Sequence, residues 1–389
     1  MYRIKTMNKI SPVGLEHFEP EHYTVGEETA DPEGIVVRSA KLLDMEFNPS
    51  LLAISRAGVG VNNIPLDRCS EAGVAVFSTP GANANAVKEL VLCAMLLASR
   101  DITGGINWVR EQAASGVEVS TVVEKGKSAF VGPELYKKTL GIIGLGAIGS
   151  LVANAAINLG MDVYGYDPYL SVETALRLDR HIHVVKDIAD LYKRADYVTM
   201  HIHYTEKTAK MINAEAIAQM KRGVRVINLA RGEIVDDEAM LAALDSGWVA
   251  AYITDFPNNR LLVAPHVVAM PHLGASTPES EQNCAVMAID ELKRYLETGN
   301  ISNSVNLPSA SMERSGVQRV CMIHKNVPNM LASITTLFGK ENVNVENMSN
   351  KSKGDVAYTL ADLGTKLSET VLQEVKDLPN MIRVRVIEW

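Results

Sequence analysis

The sequence has no hydrophobic run long enough to cross a membrane. Its longest, Leu90 to Ala98, is about half of the ~20 apolar residues that a bilayer helix needs. Positive charge is not in excess either. The 389 residues carry 38 Lys and Arg against 46 Asp and Glu, a net charge of −8. An acidic chain without a long basic run is a poor partner for nucleic acid or an anionic membrane, so neither is expected. Any anionic substrate must be met by a local basic pocket. Cysteine is sparse: Cys69, Cys93, Cys284 and Cys321 lie far apart, with no C-x-x-C pair. That pattern speaks against a cysteine metal site and for a reduced, cytoplasmic chain, and no metal is expected. The start, Met1 to Ile10, is basic but has no apolar core after it, so no signal peptide is expected. Internal repeats and low-complexity tracts are also missing.

What is present is the composition of a globular protein, 47% hydrophobic and 22% charged. The length suggests two or three domains. Residues 1–98 mix short strands, such as Gly34 to Arg38 and Leu52 to Ser55, with Gly-, Pro- and Asn-rich loops. Residues 99–275 alternate strand-like apolar runs with helical periods. The runs Thr139 to Ile143, Val163 to Tyr166, Tyr197 to Ile202, Arg225 to Leu229 and Ala250 to Phe256 predict a parallel sheet covered by helices.

A long helix is predicted over 276–298. Ser276-x-x-Glu279 reads as a capping box, Pro278 sits in the first turn, and Gly299 ends the helix. Ala285, Ala288, Ile289, Leu292 and Leu296 form its apolar stripe. A similar helix runs from Ala84 to Ser99. The two are expected to carry the chain into and out of the alternating domain, so that 1–98 and 276–308 form one discontinuous domain. After a polar linker, residues 317–389 read as strand, helix, two strands, helix and strand, a βαββαβ ferredoxin-like unit.

Within the alternating domain, Gly144-x-Gly146-x-x-Gly149 follows an apolar strand and opens a helix, and the next strand ends in Asp167. Gly144 allows a tight turn, Gly146 lets backbone approach a pyrophosphate, and Gly149 packs helix on strand. The helix start, with Ala147 and Ile148, offers free N–H groups to the phosphates. Asp167 is placed to bond ribose hydroxyls and to repel a 2′-phosphate, which favours NAD over NADP. Another adenosine-type ligand stays open at this point.

Three segments lie where sheet strands end: Val226 to Asp236, Tyr252 to Pro257 and Met270 to Thr277. Open α/β sheets bind ligands beyond those ends. An Arg and a His there suit a 2-hydroxy or 2-keto acid. Arg231 can hold carboxylate and carbonyl oxygens, and His272 can trade the hydroxyl proton as hydride moves to or from NAD. A second glycine turn, Arg56-Ala-Gly58-Val59-Gly60, can form a nest of N–H groups for a carboxylate, and Asn83 can add a side-chain bond. The Lys125-Gly-Lys127 segment reads as a loop able to close over an anionic group. His201, His203 and His266 read as structural or surface residues.

Taken together, Arg56 to Val61, Pro80 to Asn83, Gly144 to Gly149, Asn228 to Gly232 and Pro271 to Thr277 resemble the D-isomer-specific 2-hydroxyacid dehydrogenases. The resemblance covers nearly the whole chain. It implies an α/β protein in which a Rossmann-type NAD domain (99–275) is inserted in a discontinuous flavodoxin-like substrate domain (1–98 and 276–308), with a C-terminal ferredoxin-like ACT domain (317–389). It makes Arg231 and His272 catalytic and adds Ala230, Asp255 and His272 to the cofactor contacts, Asp255 on the nicotinamide side. Arg38 and Arg56 resemble the family's phosphate-side arginines, with Val59, Gly60, Asn83 and Arg231 also at the substrate.

The activity implied is NAD-dependent oxidation of 3-phospho-D-glycerate to 3-phosphohydroxypyruvate, the first step of L-serine formation. Two alternatives stay open: a dehydrogenase of the same group acting on glyoxylate or hydroxypyruvate, and an NAD(H)-sensing protein with little turnover. For the tail the resemblance implies an L-serine effector at His324, Asn326 and Asn344, and a homo-oligomer, dimer or tetramer. The chain departs from the family pattern at Arg260, where the Glu that partners the catalytic His is expected; Glu279 is a candidate replacement. It departs again at Asn329, where glycine usually follows Pro328, and at His203, where Pro is usual.

Overall fold

A computed structural model describes all 389 residues. The chain divides into two compact units, a discontinuous one (1–83 with 281–389) and an inserted one (84–280). In the discontinuous unit, β1 (Tyr2–Met7), β2 (Tyr23–Gly26), β3 (Gly34–Val37), β4 (Ala53–Arg56) and β5 (Ala75–Phe77) form one sheet in the order β2-β1-β3-β4-β5. Every neighbouring pair is parallel, and the order is flavodoxin-like. Ile35, Val36 and Val37 are fully buried in succession, as in a strand covered on both faces.

The inserted unit starts with the helix Ala84–Ser99, which the sequence reading had closing a domain that ended at 98. Its stripe of Val87, Val91, Ala94, Met95 and Ala98 packs with Leu140, Ile142 and Ile253, and this burial makes it part of the inserted unit. Its end is pinned by Arg225 Nε donating to Ala98 O at 2.8 Å. Then come β6 (Thr139–Ile143), β7 (Asp162–Tyr166), β8 (His183–Val185), β9 (Tyr197–Met200), β10 (Val224–Asn228), β11 (Val249–Thr254) and β12 (Val267–Ala269).

These seven strands form a parallel sheet in the order β12-β11-β10-β9-β6-β7-β8. The order reverses between β6 and β9, the switch point of a Rossmann-type sheet. The short β8 is not legible in the sequence, because three residues show no period. The segment expected as a loop at Lys125 and Lys127 is instead the helix Val119–Gly126 followed by a 3-10 turn. There Lys127 pairs with Glu124.

The long helix spans Pro278–Thr298. Its cap is Thr277, whose Oγ1 accepts from the Ser280 N–H at 3.1 Å. The Ser276 hydroxyl donates instead to His272 O at 3.3 Å, so the expected capping box falls one residue early. Ala285, Ala288, Ile289, Leu292 and Leu296 are all buried. Gly299 follows at φ +72°, where a Cβ would meet Cys321 Sγ at 2.5 Å.

The tail holds β13 (Gln318–Lys325), β14 (Val345–Lys353), β15 (Val356–Leu363) and β16 (Met381–Glu388), in the antiparallel order β14-β15-β13-β16, with helices Met330–Lys340 and Glu369–Lys376. This is the βαββαβ arrangement. One sheet face, with Val320 and Met322, packs under Ile334, Phe338 and Val375. The other, with Cys321, Ile323, Tyr358 and Leu360, enters the same core as Ile4, Phe77 and Leu292. The tail therefore groups with the discontinuous unit while keeping a core cluster of its own.

Arg319 and Asp362 are both fully buried at that seam. Nε and Nη2 of Arg319 reach the two Asp362 oxygens at 2.6 and 2.7 Å. The remaining N–H groups donate to Thr298 O at 2.8 Å, Asn300 Oδ1 at 3.1 Å, Met312 O at 3.1 Å and Glu313 O at 3.0 Å. Arg385 donates to Leu296 O at 2.9 Å. Last-turn carbonyls that no intrahelical donor reaches are satisfied in this way.

Two stability effects follow from these buried charges. Arg319→Met leaves Asp362 buried and unpaired and is expected to lower unfolding free energy by about 3–5 kcal/mol, while Arg319→Met with Asp362→Leu recovers most of the loss; urea titration of both variants measures this. Glu291, on the long helix, is 4% exposed; Asn303 donates to its Oε1, and Oε2 has no partner. Burial pushes its carboxyl from the ordinary 4.5 up to about 7. A raised carboxyl favours the folded state only while protonated, so its contribution falls as pH rises from about 4.5 through 7. Glu291→Gln should match the wild type near pH 4.5 and exceed it by roughly 3 kcal/mol at pH 8.5, read from denaturant midpoints at the two pH values.

Candidate active site

Because the seven-stranded sheet is parallel, its strands end on one side, and the candidate residues of the inserted unit follow those ends. Gly144 follows β6, Asp167 follows β7, Ala230 and Arg231 follow β10, Asp255 follows β11, and His272 comes shortly after β12.

At the switch point Gly144 sits at φ +90°, and a Cβ there would lie 2.6 Å from His201 O. A Cβ on Gly149 would lie 1.9 Å from Gly144 O, so only glycine lets the helix Ala147–Asn158 start this close to β6. Gly146 differs: no atom stands within 4 Å of a Cβ built there. Its face is open beside the first turn of that helix, with Ala147 and Ile148 next in line, as a pyrophosphate cradle requires. Asp167 accepts from the Leu145 N–H at 2.9 Å and the Tyr169 N–H at 2.8 Å. Each carboxylate oxygen keeps a lone pair for a ribose hydroxyl. The loop thus fits a dinucleotide.

Two unpredicted side chains shape the chemistry end. Asn228 is fully buried; its Oδ1 accepts from the Ala230 N–H at 3.1 Å and its Nδ2 donates to Arg231 O at 2.9 Å. It fixes the turn that presents Arg231, whose Nη1 donates to Ala230 O at 2.6 Å. The signal was a lone amide in an apolar strand, since a buried polar group must find partners. Phe256 lies against the His272 imidazole, with ring centroids 4.8 Å apart at 51°.

A cavity of about 720 Å³ is lined by His272, Asp255, Phe256, Gly232 and a ring of charges. Asp255 is 1% exposed, accepts from the Gly274 N–H at 3.2 Å through Oδ2, and has no partner at Oδ1. Burial pushes its carboxyl above the ordinary value, while His272 and then Arg231 pull it back. Arg260 also lines the cavity, but pairs with Glu238 at 3.2 Å, with both side chains largely exposed. Glu279, the candidate replacement for the expected Glu, is exposed and does not line this cavity. Among the remaining histidines, His201 is pushed down to about 3 by burial and stays neutral, while His203 lies exposed in a loop.

The discontinuous unit holds the other predicted group. Arg56 Nε donates to Arg38 O at 3.0 Å, and a Cβ on Gly58 would meet Arg56 Nη1 at 2.5 Å, so its guanidinium covers the glycine turn. Val59, Gly60 and Asn83 are half-buried. Arg38 Nη2 pairs with Glu281 at 2.6 Å.

In the tail, His324 is 2% exposed and both ring nitrogens are used, at 2.9 Å from Lys325 O and 2.9 Å from Thr359 Oγ1. It therefore faces no solvent ligand. Asn326 and Asn344 are exposed and bond Gly354 O and Glu346. Asn329 sits at φ +69°, a left-handed position that asparagine tolerates in place of glycine.

Comparison with known proteins places this arrangement. Residues 92–274 match the D-isomer specific 2-hydroxyacid dehydrogenase NAD binding domain. A D-3-phosphoglycerate dehydrogenase of Haemophilus influenzae is 31% identical over 358 residues, 88% of this chain and 83% of that one. The chain belongs to the D-isomer specific 2-hydroxyacid dehydrogenases. The family's NAD-binding domain is thus the inserted unit. A D-3-phosphoglycerate dehydrogenase of Methanocaldococcus jannaschii is 36% identical over 306 residues, and there the match takes 76% of this chain but only 56% of the relative's length. The chain thus spans little more than half of some relatives. A crystal structure of NAD⁺-bound 3-phosphoglycerate dehydrogenase from Entamoeba histolytica is similar at TM-score 0.61 and 25% identity, covering 78% of this chain and 98% of that one.

The second and third glycines of the family's loop should respond differently to a methyl group. Gly146→Ala meets open space, so its melting temperature should stay within about 2 °C of the wild type while NADH binding weakens about tenfold or more. Gly149→Ala drives a methyl into Gly144 O and should lower stability by at least ~2 kcal/mol. Thermal unfolding and NADH fluorescence titration separate the two.

Proposed function

We propose that the protein oxidises 3-phospho-D-glycerate to 3-phosphohydroxypyruvate with NAD. The observation that supports this reading most is the grouping of Asp255, His272 and Phe256 on one cavity beside Arg231, at the sheet edge that also carries the glycine loop. NAD, when bound, supplies the hydride acceptor. The chain's part is to bind, orient and move one proton. Arg231 holds the carboxylate and the C2 oxygen as that oxygen becomes a carbonyl. Neutral His272 takes the C2 hydroxyl proton as hydride leaves C2, and returns it in the reverse direction. Asn228 keeps Arg231 presented, and Gly144, Gly146, Gly149 and Asp167 hold the dinucleotide.

For the substrate's phosphate the reading uses Arg38 and Arg56. The Arg38–Glu281 pair is exposed at 42% and 45% of its side chains, a setting where ion pairs contribute ~0–1 kcal/mol. A dianionic phosphate making charge-assisted bonds out-competes such a partner. The same reading extends to the tail as a homo-oligomer, dimer or tetramer, with L-serine as effector near Asn326 and Asn344, and to a cytoplasmic location.

The test is NADH oxidation followed at 340 nm with phosphohydroxypyruvate and hydroxypyruvate side by side. The expected result is a strong preference for the phosphorylated acid, and Arg38→Ala should reduce kcat/KM for it at least tenfold more than for hydroxypyruvate. Comparable use of both acids makes the protein a general hydroxyacid reductase. NADH binding without turnover of either acid makes it a sensor.

A further inference from the structure

We propose that Asp255 is the carboxylate that orients His272 and steadies its protonated form, a positioning role at the site on which the proposed reaction rests. An imidazole that must take and return a proton needs its other nitrogen held, and the cavity offers several carboxylates for this. Most are already committed. Asp236 faces Lys210 at 3.2 Å. Glu238 faces Arg260 at 3.2 Å. Asp237 accepts from Asn258 Nδ2 at 2.7 Å. Glu233 is exposed, where water screens its charge.

Asp255 differs on each count. It is 1% exposed, and one oxygen has no partner. Its other oxygen is tied to the Gly274 N–H, two residues beyond His272, so the carboxylate and the His272 loop are joined. The next residue, Phe256, lies against the imidazole at 4.8 Å and restricts where the ring can turn. Among side chains, His272 first and Arg231 second offset the effect of Asp255's burial. Arg260, where a carboxylate partner was expected, lines the cavity paired to Glu238, so no charge of the right sign comes from that position. Asp255, five residues earlier, supplies it from the buried end of β11.

Asp255→Asn keeps the size and the acceptor for Gly274 but removes the charge, and Asp255→Ser gives the same comparison at smaller volume. The first readout needs no turnover: side-chain ¹⁵N shifts of His272 at pH 8 report its tautomers, assigned with His272→Gln. The wild type is expected to show one dominant tautomer and Asp255→Asn a mixture. The second is the pH profile of phosphohydroxypyruvate reduction. Loss of a carboxylate beside a group that must be protonated moves the acid-requiring limb to lower pH, by about one unit, with kcat down roughly 100-fold at pH 8. An unchanged tautomer ratio overturns the proposal. So does a tenfold loss of NADH affinity with the tautomers unmoved, which would confine Asp255 to the cofactor. A tautomer shift in a protein that turns over neither acid would sustain this role and remove the proposed reaction.

Discussion

The parallel direction of the strands in the inserted unit governs the site. In a parallel sheet every strand delivers its carboxyl end to the same edge, and each crossover helix starts there with its N–H groups free. Residues far apart in sequence, the glycine loop after β6, the acid after β7, the arginine after β10, the aspartate after β11, are therefore brought to one edge without any long-range pairing between their side chains. The reversal of order between β6 and β9 opens the crevice in which a ligand can lie. Gly149 makes that geometry attainable, because the helix following β6 begins in van der Waals contact with Gly144 O. Any side chain there pushes helix from strand and takes the cradle with it.

A second constraint acts on the tail. An antiparallel sheet commonly covers one face with helices and leaves the other wet. Here the second face is closed as well, and the tail's own strands bring guanidinium groups into that seam. Arg319 and Arg385 do in the core what solvent does elsewhere: they donate to helix-end carbonyls while their charge is balanced by Asp362 or spread over the Tyr295 ring, 4.5 Å from the Arg385 guanidinium. Such groups do not add stability cheaply, since each was desolvated to reach its place. What they add is orientation, because a bidentate pair with four further acceptors has one geometry. The C-terminal sheet is thereby held as a layer of the discontinuous unit.

Much of this was legible in the residues. Strands such as β6 and β10 are largely apolar, and Gly144 and Gly149 are dictated by backbone contacts that admit no alternative. The apolar run Val320 to Ile323 carries a further signal: adjacent apolar residues on a strand mean burial on both faces, as found in the tail. The commitments of charges were not legible. Arg38 meets Glu281 243 positions away and Arg260 meets Glu238 22 positions back, and neither spacing has a period. Nor does sequence state which of several acids is dry. Asp255 and Glu238 are equally acidic on paper; one is 1% exposed beside an imidazole and the other stands in water.

That difference explains how an arginine can stand where a carboxylate was expected without stripping the cavity of its chemistry. Electrostatic influence on His272 depends on distance and on the dielectric between the groups, not on which loop supplies the charge. An exposed arginine paired to an exposed glutamate projects a weak, screened dipole into the cavity. A buried carboxylate with an unpartnered oxygen is screened far less. On the role proposed for Asp255, the cavity keeps a negative charge near the imidazole even though position 260 carries the opposite sign. Substitution at 260 is then tolerable for as long as β11 ends in an aspartate and Gly274 holds it.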